Sequence, residues 1–180
     1  IEVGGLSHVL LAKLLDLGAL VKAAAQGNPR AVPLPRPLLG TAEPHFSFAG
    51  LKSAVMRAVQ SGQYSQPDIA ASFQQAVIDC LIDRTRRALT QANGMTALVV
   101  AGGVAANQAI RAALEQLAAD HDLPFVAPPL WLCTDNAAMI AWAGAERFAA
   151  GLIDDLTVPA RPRWPLDPAA EKARGAGVKA

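Results

Sequence analysis

Sulfur, charge and histidine are all scarce in this chain of 180 residues, and each shortage excludes something. Two cysteines, Cys80 and Cys133, stand far apart without a CxxC, so neither a disulfide framework nor a zinc knuckle is available. A reduced, cytoplasmic setting fits that usage. Charged residues make up 17% and the formal net charge is +1, which gives no reason for global attraction to a polyanion. No apolar run reaches the roughly 18 residues of a membrane span, and no membrane association is expected. Signal, transit and lipidation motifs are not visible, and no internal repeat is present. The opening on Ile1 without Met reads as a processed or partial chain. His8, His45 and His121 form no HxxxH or HExxH pair, and Ser47, Ser53 and Ser72 have no GxSxG context. Spacing alone therefore assembles neither a mononuclear metal site nor a serine nucleophile.

What is present is apolar: 52% hydrophobic residues and a mean hydropathy of +0.26, a globular and rather apolar composition. Charge is unevenly spread. Lys and Arg outnumber acids over Ile1 to Gln60 and again from Leu156 onward, whereas acids dominate Arg111 to Asp155. A polyanion would meet the two ends of the sequence.

Apolar spacing at Leu10, Leu14, Leu17 and Val21 predicts a helix over Ser7 to Gln26, with a kink or break at Gly18 and a stop at Gly27-Asn28-Pro29. Pro29, Pro33, Pro35, Pro37 and Pro44 then predict an extended surface loop. "HFSFAG" alternates like a short edge strand with Phe46 and Phe48 on one face, more often a core face than a partner surface. A helix is expected over Ala49 to Gln60. Another, capped by Ser65 with Asp68 in its first turn, is expected to run to about Gln91 on a stripe of Ile69, Phe73, Val77 and Leu81, with Cys80 in the core. Arg84, Arg86 and Arg87 suit the C-terminal end of its dipole. "TALVVAGG" (Thr96 to Gly103) reads as a continuously buried strand. A helix from about Ala105 to Ala119 and a short strand in "LPFVAPP" complete a β-α-β unit with parallel strands. A helix from Asn136 to Ala150 closes the domain, read as residues 1–155, and residues 156–180 form an extended basic, proline-containing tail.

Two places carry candidate chemistry. In "VVAGGVAANQAIRAAL" an apolar strand enters Gly102-Gly103 and then a helix, so backbone N–H groups and partial positive charge are offered to a phosphate. Asn107 adds an amide that donates and accepts. A tight turn whose glycines merely permit packing stands beside that reading. Asp135, in "LCTDNAAMIAWAG", is either a helix cap or a metal ligand that needs partners.

Four stretches in order, "HFSFAGLKSAV", "VVAGGVAANQAIR", "LCTDNAAMIAWAG" and "RPRWPLDP", closely resemble the carboxy-terminal part of the bacterial tRNA threonylcarbamoyladenosine transferases, long labelled O-sialoglycoprotein endopeptidases. The resemblance runs from about Ala12 to the end. It implies one lobe of an actin/sugar-kinase/Hsp70-like (ASKHA) fold, with a β-α-β core and several packed helices. It also implies an acyltransferase that moves a threonylcarbamoyl group from its adenylate to the exocyclic amine of the adenosine beside the tRNA anticodon. The implied cofactor is one divalent metal, iron, held by two histidines of an HxxxH motif and by the Asp of "CTDN", here Asp135. The implied nucleotide contacts, to ATP or the threonylcarbamoyl-adenylate, are Gly102, Gly103 and Asn107. Implied partners are tRNA, the amino-terminal lobe and other subunits of the threonylcarbamoyladenosine synthesis complex; self-association is a further expectation.

Departures from the pattern lie at the start. The amino-terminal lobe and its two metal histidines are not in this sequence. "GGLSHVLLAKLL" puts Val9 where the family's "GEAFDK" motif has a nucleotide-binding Asp, and the following "YPGGP" is absent. The expectation is a second lobe that is inactive alone, with a non-catalytic nucleotide-binding or subunit-pairing role as the alternative. The protease label has no serine, cysteine or zinc constellation behind it.

Overall fold

The computed structural model describes residues 17–42, 44–133 and 136–158. The chain divides into two compact units, Ile1–Asn136 and Ala137–Ala180. In the first, α1 (Leu17–Ala24), α2 (Leu51–Ser61) and the 26-residue α3 (Gln66–Gln91) precede a β-α-β unit of β1 (Leu98–Val99), α4 (Gln108–Ala119) and β2 (Phe125–Val126). This is a mixed α/β domain. The second unit contains α5 (Ala137–Ala149).

Helix α3 organises the first unit. Ser65 caps it: the Ser65 hydroxyl accepts from the Asp68 N–H at 3.2 Å and donates to the Asp68 carboxylate at 2.7 Å. Pro67 fits the first turn, where no N–H is needed. The amino-terminal half of α3 buries Ile69, Ala70, Ala71 and Ala76 against Leu20 and Ala24 of α1 and Leu51, Val55 and Ala58 of α2. Its carboxy-terminal half packs Ile78, Leu81, Ile82 and Leu89 against Ile110, Leu114 and Leu117 of α4, with Val100 just after β1 and Phe125 of β2. The α4 residues recur at helical spacing, which puts one apolar stripe on the core. Small residues at Ala70, Ala71 and Ala76 let the helices approach closely.

The loop after α1 is not a surface loop throughout. Residues 28–42 lie along α3 as a strap, held rung by rung. The Asn28 N–H donates to Asp68 at 2.8 Å, the Val32 N–H to Ser72 Oγ at 3.1 Å, and Arg36 Nε to Asp79 at 2.9 Å. Farther along, the Gly40 N–H donates to Asp83 at 3.2 Å, Arg84 to the Thr41 carbonyl at 3.1 Å, and Gln91 Nε2 to the Ala42 carbonyl at 2.9 Å. Val32 and Leu34 are buried between the rungs. Prolines free the strap from helix or sheet pairing, and the face of α3 supplies the partners its backbone lacks. That accounts for Arg84. It is 1% exposed and bonded to Thr41 and Asp83, so it clamps the strap and does not decorate a helix end as expected. Cys80 lies on the same face, and burial pushes its thiol above the ordinary range.

Asp68 is held below its usual value of 3.8 by the Asn28 backbone N–H and then by Ser65. A carboxylate with a depressed folded-state value contributes stability above its unfolded value and loses it as pH falls through the folded one. Asp68→Asn is therefore expected to lower stability at neutral pH and to flatten the acid limb below about pH 4, where the wild type has lost the same contribution, as read by denaturant midpoints. An unaltered acid limb would refute the role.

Three further expectations change. β1 has only two residues, and Val99 is 66% exposed where continuous burial was expected. The pairing is parallel, Leu98 with Phe125 and Val99 with Val126. Alternate side chains leave opposite faces, so Val100 and Phe125 reach the core while Val99 and Val126 do not. "HFSFAG" forms no strand; Phe46 and Phe48 are 53% and 42% exposed, and the chain turns into α2 at Gly50 with φ 79°. The helix expected over Asn136 to Ala150 is present as α5, yet none of its residues is buried. Of the helix expected over Ser7 to Gln26, Leu17–Ala24 is helical, while its start, Val9 and the tail from residue 159 lie outside the described residues.

Candidate functional site

In a parallel pair the loops after both strands emerge at the same end, where α/β proteins place ligands. After β1 the chain enters Gly102 with φ 85° and ψ 176°, a conformation open essentially to glycine alone. A 3-10 turn, Gly103–Ala106, follows and delivers the chain to α4. Gly102, Gly103 and Val104 are exposed, and a Cβ added at either glycine would meet nothing within 4 Å. One side of this turn is therefore bare backbone, open to close approach from outside.

Asn107 stands at the N-cap, just before the first helical turn, and is 1% exposed. Its Oδ1 accepts from the N–H groups of Ala109 and Ile110 at 3.0 and 3.2 Å, and its Nδ2 donates to Gln74 Oε1 of α3 at 2.9 Å. Capping thus shapes the turn from behind. The cap also explains why the helix begins at Gln108 and not at Ala105.

After β2 the chain passes Pro128 and Pro129 into a second 3-10 turn, Leu130–Leu132, which touches the first. Trp131 on this turn is 70% exposed, whereas Cys133 is 3% exposed with its thiol against the carbonyls of Pro128 and Pro129, both at 3.6 Å. Arg111 joins the two turns. Nε donates to the Ala105 carbonyl at 3.1 Å, and one terminal nitrogen reaches the Pro128 carbonyl at 2.8 Å and Cys133 Sγ at 3.3 Å.

Thr134 and Asp135 lie outside the described residues, so the metal-ligand reading of Asp135 is not placed. Among the described residues no group of three His, Cys, Asp or Glu is arranged to hold a metal ion. The buried Cys133 sulfur, occupied by a guanidinium, is a poor candidate to join one. These residues do not by themselves fit a metal. Gly102, Gly103 and Asn107 are brought together in one turn. Sequence reasoning passed over Gln74 and Arg111, because their partners are distant in sequence and only the fold brings them near.

No helix among the described residues is long and apolar enough to cross a membrane. Comparison with known proteins gives a consistent result. Residues 3–142 match the model of the TsaD family, tRNA N6-adenosine threonylcarbamoyltransferase. The protein of that name from Sphingopyxis alaskensis is 71% identical over 174 residues, which cover 94% of this chain and 51% of the relative. Those from Zymomonas mobilis and Rhodospirillum rubrum are 62% and 54% identical, over 99% and 94% of this chain and 52% and 51% of their own lengths. The chain thus spans about half the length of the curated relatives it matches.

Proposed function

The chain belongs to the tRNA N6-adenosine threonylcarbamoyltransferase family, and we propose that it is one lobe of such an enzyme, of actin/sugar-kinase/Hsp70-like fold, completed by a second lobe outside this sequence. The observation that carries the reading is the family match over residues 3–142, which includes the open Gly102-Gly103 turn at the end of the parallel pair. In this reading the turn receives the adenylate's phosphate through backbone N–H groups. Asn107, buried with both ends of its amide bonded within this chain, serves the nucleotide by holding that turn in shape. The amine of the target adenosine attacks the carbamoyl carbon. The new C–N bond replaces the bond from that carbon to the phosphate oxygen, the amine gives up a proton, and AMP leaves. Asp135 would be one ligand of the divalent metal, iron in the family pattern, with the remaining ligands supplied from beyond this chain. The proposed partners are tRNA, the other lobe and fellow subunits of the synthesis complex, in the cytoplasm; the chain alone is proposed to be inactive.

The test is transfer to tRNA by the full-length protein beside the chain alone, with ATP titrated calorimetrically into the wild type and Asn107→Ala. Transfer by the full-length protein, none by the chain, and at least about tenfold weaker ATP binding in Asn107→Ala are expected, since a capping bond and a buried amide are lost together. A full-length protein that leaves tRNA unmodified with its adenylate and metal supplied would sink the reading.

The second reading is a non-catalytic lobe that pairs with another subunit. Val99, Val126 and Trp131, at 66%, 50% and 70% exposure, favour it because they put apolar surface in water beside the site. Concentration-dependent association on a sizing column supports this reading, and a monomer at high concentration counts against it.

A further inference from the structure

Arg111 is misplaced by the ordinary rules of helix electrostatics. It occupies the first turn of α4, where the macrodipole is positive and a cation is disfavoured. Its guanidinium does not run out into solvent. It turns back across the helix entrance, with Nε on Ala105 of the first turn and a terminal nitrogen on Pro128 and Cys133 of the second. The two strands share only a two-residue ladder, too short to fix the loops that leave it. Asn107 pins only the first turn, to α4 and to Gln74. Arg111 alone, among the side-chain hydrogen bonds described, spans both.

We propose that Arg111 is a positioning residue that couples the Gly102–Asn107 turn to the Pro128–Cys133 segment, so that a nucleotide on the first turn orders the stretch leading to Asp135. The inference rests on the reading of the Gly-Gly turn as a nucleotide half-site. The guanidinium is suited to it because a planar fork bonds two directions at once. A lysine ammonium at the same place satisfies one turn or the other but does not hold their separation. Coupling of this kind makes ligand binding on one loop felt on the other without any residue of the second touching the ligand.

Hydrogen exchange on the full-length protein, with ATP as the probe, tests it in wild type, Arg111→Lys and Arg111→Ala. In the wild type, ATP is expected to slow exchange over residues 103–107 and over 130–133. In Arg111→Lys the first protection persists and the second disappears, while KM for the adenylate rises about tenfold, the loss expected of one charge-assisted hydrogen bond. Retained protection of 130–133 in Arg111→Lys overturns the coupling, as does a variant that loses thermal stability with KM unchanged, which is the mark of a merely structural bond. Should Arg111→Ala fail to fold, the lysine variant still decides. A wild type protected at 103–107 but not at 130–133 rejects the coupling and leaves the nucleotide reading standing. A wild type protected at neither rejects both.

Discussion

Asp135→Ala in the full-length protein is expected to abolish metal retention and to lower transfer to tRNA by at least about a hundredfold, because even the outer partners of metal ligands account for 10- to 100-fold. The substitution alone does not separate a ligand from a helix cap, since α5 begins at Ala137 and an acid just before it would also stabilise that helix. Asp135→Asn makes the separation. Asparagine caps a helix about as well as aspartate, but it brings no negative charge to a cation. A ligand role predicts that both variants lose metal by elemental analysis. A capping role predicts that Asp135→Asn keeps full metal content and activity while Asp135→Ala melts slightly earlier. Unchanged metal content in both variants would remove Asp135 from the site.

The second large effect is on folding. Gly27→Ala is expected to cost about 3 kcal/mol, the upper end for overpacking, because the collision is with backbone. A Cβ at Gly27 would stand 2.0 Å from the Pro67 carbonyl oxygen and 2.7 Å from the Asp68 nitrogen. Neither atom belongs to a side chain that can swing aside. Both sit in the first turn of α3, which Ser65 and Asn28 already fix. Gly103→Ala provides the contrast, with nothing within 4 Å of the added carbon. A fall in melting temperature of roughly 6–12 °C follows for a chain of this size, against little change for Gly103→Ala. Equal melting of the two variants would show that the close approach at Gly27 is not maintained in solution.

Gly27 also illustrates what could be read in advance. Within "GNP" it looked like a helix stop, and α1 does end at Ala24. The reason no other residue fits there depends on Pro67, forty positions later, and no local pattern carries that. Elements defined by neighbours in sequence were legible: the Ser65 cap, the parallel pair and the helix between. Elements defined by a partner elsewhere were not. The alternation of Phe46 and Phe48 satisfies a strand template, but a strand needs a neighbour, and none of the described residues pairs with it. Val99 has the side chain of a buried strand residue, yet among the described residues it is left 66% exposed. The site divides the same way. Gly102, Gly103 and Asn107 announce themselves in one motif, whereas Arg111, four residues on, shows its importance only where it reaches Pro128 and Cys133.

The strap along α3 bears on how this protein can be altered. A proline-rich, helix-free stretch is the usual choice for an epitope tag, a fluorophore or a cleavage sequence. Here anchors recur at Asn28, Val32, Arg36, Gly40 and Ala42, so an inserted peptide would throw every later rung out of step with its partner on the helix. The exposed turns at Gly62-Gln63 and Asn93-Gly94 carry no such ladder. A graft belongs there, and the prolines are better left as they are.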